Sequence, residues 1–190
     1  MGWKEDYKCD LYRKTGSHSE SRSDKKCFEL RLMKLFGKAH ASYQKYKAKR
    51  SLINIVGYYF SRRKWLAFCN AHSINIPPAT NIGPGFFIGH NGPIAINPRA
   101  SIGQNCNIGI CVTIGQENRG ARKGSPTIGN DVWIGSNAVI VGKISIGDNV
   151  LIAPGAYVNF DVPSNSIVLG NPGKIIPNDH ATVDYINNRI

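Results

Sequence analysis

An aliphatic residue returns at every sixth position over most of the stretch from Ile76 to Val158, and this period constrains the chain more than anything else in it. Ile76, Ile82 and Ile88 form a first run. Ile96, Ile102, Ile108 and Ile114 form a second, and Ile128, Ile134, Ile140, Ile146, Ile152 and Val158 a third. Gly follows many of them at once, as at Gly83, Gly103, Gly129 and Gly147, and a small or β-branched residue tends to come four places on. Six fits neither a 3.6-residue helix nor one alternating strand. It fits a coil of short strands and corners in which like side chains stack inward from turn to turn.

The period is broken twice. Ile88 to Ile96 is eight residues, and the extra pair falls in Gly89-His90-Asn91-Gly92-Pro93. His90 is the only His between residues 73 and 179. A break in uniform stacking costs stability, so it invites a functional reason. Ile114 to Ile128 is fourteen residues, which leaves an eight-residue insertion rich in glycine and holding Arg119, Arg122 and Lys123. A loop of this kind protrudes.

The net charge of +12 belongs almost wholly to one end. Residues 1–72 hold 17 Lys and Arg against 6 Asp and Glu, and residues 73–190 hold 7 against 6. In the basic part, Phe28, Leu32, Leu35, Phe36 and Ala39 follow helical spacing, and Leu52, Ile55, Val56, Tyr59 and Leu66 repeat it. The chain therefore divides into a basic α-helical region over 1–72, a coil over 73–177 and a polar tail over 178–190. The helices pack on each other and on a neighbouring subunit, or present a basic, aromatic-rich surface to anionic lipid. No nucleic-acid motif accompanies the charge, so nucleic acid is not expected as a partner. Five Cys without a CxxC pair read as neither a disulfide framework nor a zinc site, and no apolar run is long enough to cross a membrane. The expected compartment is the cytoplasm, with membrane association through residues 1–72 as the alternative.

The hexads, the Gly-His-Asn-Gly break, Val132-Trp133-Ile134-Gly135 and the closing Gly170-Asn171-Pro172-Gly173-Lys174 resemble the left-handed β-helix acetyltransferases, within them the serine-acetyltransferase-like branch. Asp10-Leu11-Tyr12-Arg13 resembles the opening of the short forms in surface-polysaccharide gene clusters. The resemblance implies a mainly β fold, a left-handed parallel β-helix of hexapeptide repeats after a small helical region. Three hexads to a coil give a little over four coils. It implies acetyl-CoA as co-substrate, no metal, and His90 as the general base, a role suited to a neutral imidazole. By position it places Ser136, Pro154, Asn159 and Lys174 on coenzyme A, with Arg122 and Lys123 near its phosphates, and Asn91 and Trp133 at the acceptor. A thin column of Ile also makes a symmetric homotrimer the expected assembly.

The chain departs from serine acetyltransferases at the acceptor. Their catalytic His has an Asp partner fifteen residues earlier, where this chain has Asn75. The Asp before their His is Gly89, and the Arg-His before their loop Pro is Gly124-Ser125. A neutral sugar hydroxyl is therefore the expected acceptor, with serine as the alternative and a non-catalytic basic scaffold as a further one. The γ-type carbonic anhydrases on this coil need three His on zinc, and only His90 is available in the repeat.

Overall fold

The computed structural model describes residues 2–190. Three helices come first: α1 (Trp3–Thr15), α2 (Phe28–Ala48) and α3 (Leu52–His72), with a short 3₁₀ turn at Asp24–Lys26 between the first two. Gly16 ends α1 in the left-handed conformation, with φ 69°. Ser51 caps α3 by accepting from the Asn54 amide at 3.3 Å. In α2, Leu30, Leu32, Met33, Phe36 and Ala39 are buried. In α3 the buried residues are Trp65, Phe68 and Cys69, whereas Leu52, Ile55, Val56, Tyr59 and Leu66 lie on the exposed side.

The coil follows as β1 (Ile74–Asn75), β2 (Asn81–Ile82), β3 (Phe87–Ile88), β4 (Ile94–Ile96), β5 (Ser101–Ile102), β6 (Asn107–Ile108), β7 (Val112–Gly115), β8 (Thr127–Ile128), β9 (Trp133–Ile134), β10 (Val139–Val141), β11 (Ser145–Ile146), β12 (Val150–Ile152), β13 (Tyr157–Val158) and β14 (Ser166–Leu169). All of these pair in parallel, every third strand with the next, and make the three faces of a prism. Sheet A is β1-β4-β7-β10-β13 and sheet B is β2-β5-β8-β11, extended by a bridge from Ile146 to Val162. Sheet C is β3-β6-β9-β12-β14, closed by β15 (Lys174–Pro177), which runs antiparallel. There are five turns of coil rather than a little over four. The first begins at Ile74, before the hexads set in, and the last closes through Val162 and Val168 across a shorter corner.

The hexad residues stack as the period requires. One column runs Ile88, Ile108, Ile134, Ile152 and Val168, another Ile82, Ile102, Ile128 and Ile146, and a third Ile96, Ile114, Ile140 and Val158. Nearly all are fully buried. The corner from sheet B to sheet C is left-handed in every turn: Asn105, Asp131, Asn149 and Asn165 have φ between 52 and 59°. Asn and Asp adopt that conformation more readily than other side chains, which explains their recurrence there. Glycine is needed where coils approach closely: a Cβ on Gly129 would lie 2.8 Å from the backbone of Gly147.

The three outer faces differ. Sheet B shows a polar ladder of Asn81, Ser101, Thr127 and Ser145. Sheet C is covered by the chain itself. The C-terminal residues fold back so that Ala181, Thr182 and Ile186 are buried, and Tyr185 packs on Trp133 with ring centroids 4.8 Å apart. On the same side α1 docks through Arg13, whose Nη2 donates to Oδ1 of Asn107 at 2.5 Å and whose Nε donates to the Gly85 carbonyl at 3.2 Å. Sheet A presents Asn75, Ala95, Thr113, Val139 and Tyr157, with no element among the described residues laid over the row.

Candidate active site

The strand register fixes where the candidate residues stand. Two residues beyond Ile88, Ile134 and Ile152 in the first column come His90, Ser136 and Pro154. They therefore share one edge of the prism, the corner from sheet C to sheet A. At ~4.8 Å per turn, Ser136 is ~10 Å from the level of His90 and Pro154 ~14 Å. Lys174 pairs with Leu169 at the last turn of the same sheet, so it extends this edge upward. The corner is tight, since a Cβ on Gly109 would meet the Ser136 nitrogen at 2.7 Å.

Asn159, Arg122 and Lys123 stand on the other edge of sheet A. Asn159 follows β13, and the two cations lie in the insertion between β7 and β8. That loop is anchored at its base. Glu117 and Gly124 exchange both backbone hydrogen bonds at 3.0 Å, and the Lys143 amide donates to the Arg122 carbonyl at 2.8 Å. Between the two edges lies the open face of sheet A, with Asn75 at its lower end. Asn75 lines two shallow depressions there, of about 270 and 220 Å³, floored by Ala95 and Thr113. The candidate residues frame sheet A from both sides, apart from Trp133, which lies on sheet C under Tyr185.

His90 is exposed in the break between β3 and β4 and lines neither depression. Among the described residues no hydrogen bond joins it to Asn75. The break is held instead through its next residue. Nδ1 of His72, at the end of α3, lies 3.0 Å from Oδ1 of Asn91. An amide oxygen only accepts, so this contact places the proton on His72 Nδ1. His72 in turn packs against Phe28 and Phe68, with centroids 4.8 and 4.4 Å away. The sequence offered no signal for this partner, because His72 sits outside the repeat. Cys111, exposed on the same edge with φ 59°, lines the larger depression. Cys106 is buried in the core, and burial pushes its thiol up to about 12. Among the described residues, no cluster of His, Cys, Asp and Glu is arranged to hold a metal ion.

The pattern of the family described as Bacterial transferase hexapeptide (six repeats) matches residues 125–159. The matched stretch holds the six-residue repeats of β8 to β13. Among its relatives, the serine acetyltransferase of Synechococcus elongatus is 37% identical over 114 residues, covering 60% of this chain and 47% of that one. The Bacillus subtilis serine acetyltransferase is 33% identical over 139 residues, covering 73% and 59%. The chain thus spans about half the length of the first of these relatives. Among solved structures, the Neisseria gonorrhoeae serine acetyltransferase in complex with serine superposes with a TM-score of 0.70 at 26% identity, covering 92% of this chain and 69% of that one. A match of that extent takes in helices as well as coil.

Proposed function

We propose that this protein is an O-acetyltransferase that moves an acetyl group from acetyl-CoA to a hydroxyl, with His90 as general base. The observation that carries this reading is the register that puts His90, Ser136 and Pro154 on one edge of an open sheet. A pantetheine arm laid along that edge meets backbone amides at every turn. Lys174 on one edge, and Arg122 and Lys123 on the other, offer exposed cations to its phosphates.

In the reaction, the acceptor oxygen attacks the thioester carbonyl while its proton passes to the His90 imidazole. The tetrahedral intermediate carries its negative charge on the former carbonyl oxygen, which backbone N–H groups of the facing corners stabilise. Collapse breaks the C–S bond, and the imidazolium returns its proton to the departing thiolate. No acyl-enzyme is needed.

Serine is the acceptor with the better support, because the relatives on both comparisons are named for it. A sugar hydroxyl, as in surface-polysaccharide biosynthesis, is the second reading. It is favoured by the uncharged Asn75, Gly89, Gly124 and Ser125, which stand where the resemblance leads one to expect Asp, Asp, Arg and His. The reading includes a cytoplasmic homotrimer. Its support is that sheet A, bearing Ala95, Val139 and Tyr157 outward, is the more apolar of the two outer faces that sheets A and B present. A partner seated there would turn the edge at His90 into a cleft.

The test is thiol release from acetyl-CoA with serine and with a panel of sugars, for the native protein and His90→Ala. The expected result is turnover with one acceptor class and a fall of about 10²–10⁴ in His90→Ala. Equal turnover in both proteins removes His90 from the mechanism, and absence of both turnover and calorimetric CoA binding leaves the coil as a scaffold.

A further inference from the structure

The side of α3 that faces away from the molecule is built from large apolar residues. Leu52 is 76% exposed and Ile53 83%, and Tyr59 and Phe60 are each more than half exposed. Ile55, Val56 and Leu66 continue the same surface along the helix. The opposite side is fully engaged: Tyr58 stacks on Tyr46, Ser61 bonds Ser42, and Trp65 donates from Nε1 to the Ile76 carbonyl at 2.8 Å. An outward stripe of this size marks an interaction surface.

The charge around the stripe has one sign. Residues 45–64 carry seven Lys and Arg and no acid, and no Asp or Glu occurs between Glu29 and Glu117. Arg63 lies within the apolar stripe, and Arg62 and Lys64 flank it. Lys49 and Arg50 precede the end of α3 that bears Leu52 and Ile53. None of these cations is in an ion pair among the described residues. Beside the same end is a hollow of about 300 Å³ bordered by Lys38, Lys45, Ser42, Tyr58, Trp3 and Ile53. Its polar side chains are the Lys38 and Lys45 ammonium groups, the Ser42 and Tyr58 hydroxyls and the Asn54 amide, with no carboxylate among them, a set that accommodates a phosphate-bearing headgroup.

We infer that the α2–α3 hairpin docks on an anionic phospholipid bilayer. Leu52, Ile53, Val56 and Phe60 enter the headgroup boundary, the flanking Lys and Arg reach lipid phosphates, and the Lys38–Lys45 hollow takes one headgroup. No helix among the described residues is long and apolar enough to cross a membrane, so the contact is peripheral. A second copy of α3 fits less well, because a two-fold contact brings Arg62, Arg63 and Lys64 against their own counterparts with no acid on the helix to offset them.

The full chain is sedimented with vesicles of phosphatidylcholine alone and of an equal mixture with phosphatidylglycerol. Binding is expected to the mixture only, and a tenfold rise in salt releases the protein. The double variants Leu52→Ser/Ile53→Ser and Arg62→Gln/Arg63→Gln are each expected to weaken binding about tenfold. The first pair is exposed, so circular dichroism and Tm should stay at native values and a loss of binding would not report unfolding. The inference is overturned if native protein stays in the supernatant with both vesicles, or if neither double variant lowers the bound fraction. It is also overturned if Leu52→Ser/Ile53→Ser changes the oligomer mass by sedimentation equilibrium while native protein ignores the vesicles, since a second copy then covers the face. The readout needs no acetyl transfer, so it stands or falls apart from the proposed activity.

Discussion

His72 and Asn91 are joined by a 3.0 Å hydrogen bond, and this bond ties the end of α3 to the residue that follows His90. The helical region is thereby connected to the first of the two corners where the hexad period stretches. Replacing His72 by Phe keeps the aromatic contact with Phe28 and Phe68 and removes the donor. A small misplacement of a base costs rate far more than affinity. His72→Phe is expected to lower kcat about tenfold with CoA affinity unchanged, and His72→Gln to restore part of it. Steady-state kinetics alongside calorimetry checks both.

Asp10 on α1 is buried against the coil, and its Oδ1 has no hydrogen-bond partner among the described residues. Burial raises its pKa from the ordinary 3.8 to about 8, although the Gly85 and Phe86 amides pull the other way. The folded state therefore holds this proton more tightly than the unfolded chain. Between about pH 4 and 8 the folded state binds more protons, so this residue's contribution to stability falls as pH rises through that window. Asp10→Asn is expected to flatten that slope and to stabilise the protein by about 1–3 kcal/mol near pH 8. Thermal unfolding at several pH values measures it.

Two glycines should respond in opposite directions to alanine. Gly129 faces the next coil, where a Cβ would lie 2.5 Å from Oδ1 of Asp148. Gly129→Ala is expected to cost about 1–3 kcal/mol. Gly57 on α3 has nothing within 4 Å of its Cβ position, and Gly57→Ala should add about 0.8–1 kcal/mol through helix propensity. Urea titration of both variants reads the difference.

Trp133 lies beneath Tyr185, an arrangement held by Asn107 donating to the Tyr185 carbonyl at 3.1 Å. Tyr185→Ala is expected to expose the indole, shift its fluorescence to the red and destabilise by about 1 kcal/mol. KM for the acceptor should not change, because Trp133 stands on sheet C and the His90 edge opens on sheet A.

The hexads were legible because they report one physical demand, a column of aliphatic side chains repeated turn after turn. The far end of the coil was not, since Val162 follows Val158 by four residues instead of six before Val168 completes the first column. In α3 the helical spacing of Leu52, Ile55, Val56, Tyr59 and Leu66 marks an apolar side without saying whether it is buried. Only the docking of Trp65 and Phe68 decides that Leu52, Ile55 and Val56 face outward. The edge shared by His90, Ser136 and Pro154 could be counted from the period once the strands were in register. The cover over Trp133 and the His72–Asn91 bond join residues far apart in the chain, and no local pattern announces them.

A coil of parallel strands has two raw ends, each able in principle to accept another molecule and grow into a fibre. Here α3 sits across the first turn, with Trp65 bonded to the Ile76 carbonyl. At the other end β15 reverses direction against β14, and the Gly173 amide donates to the Tyr157 carbonyl at 3.0 Å. Antiparallel β15 cannot continue the winding, so sheet C offers no parallel edge on which a further turn of the same coil could grow.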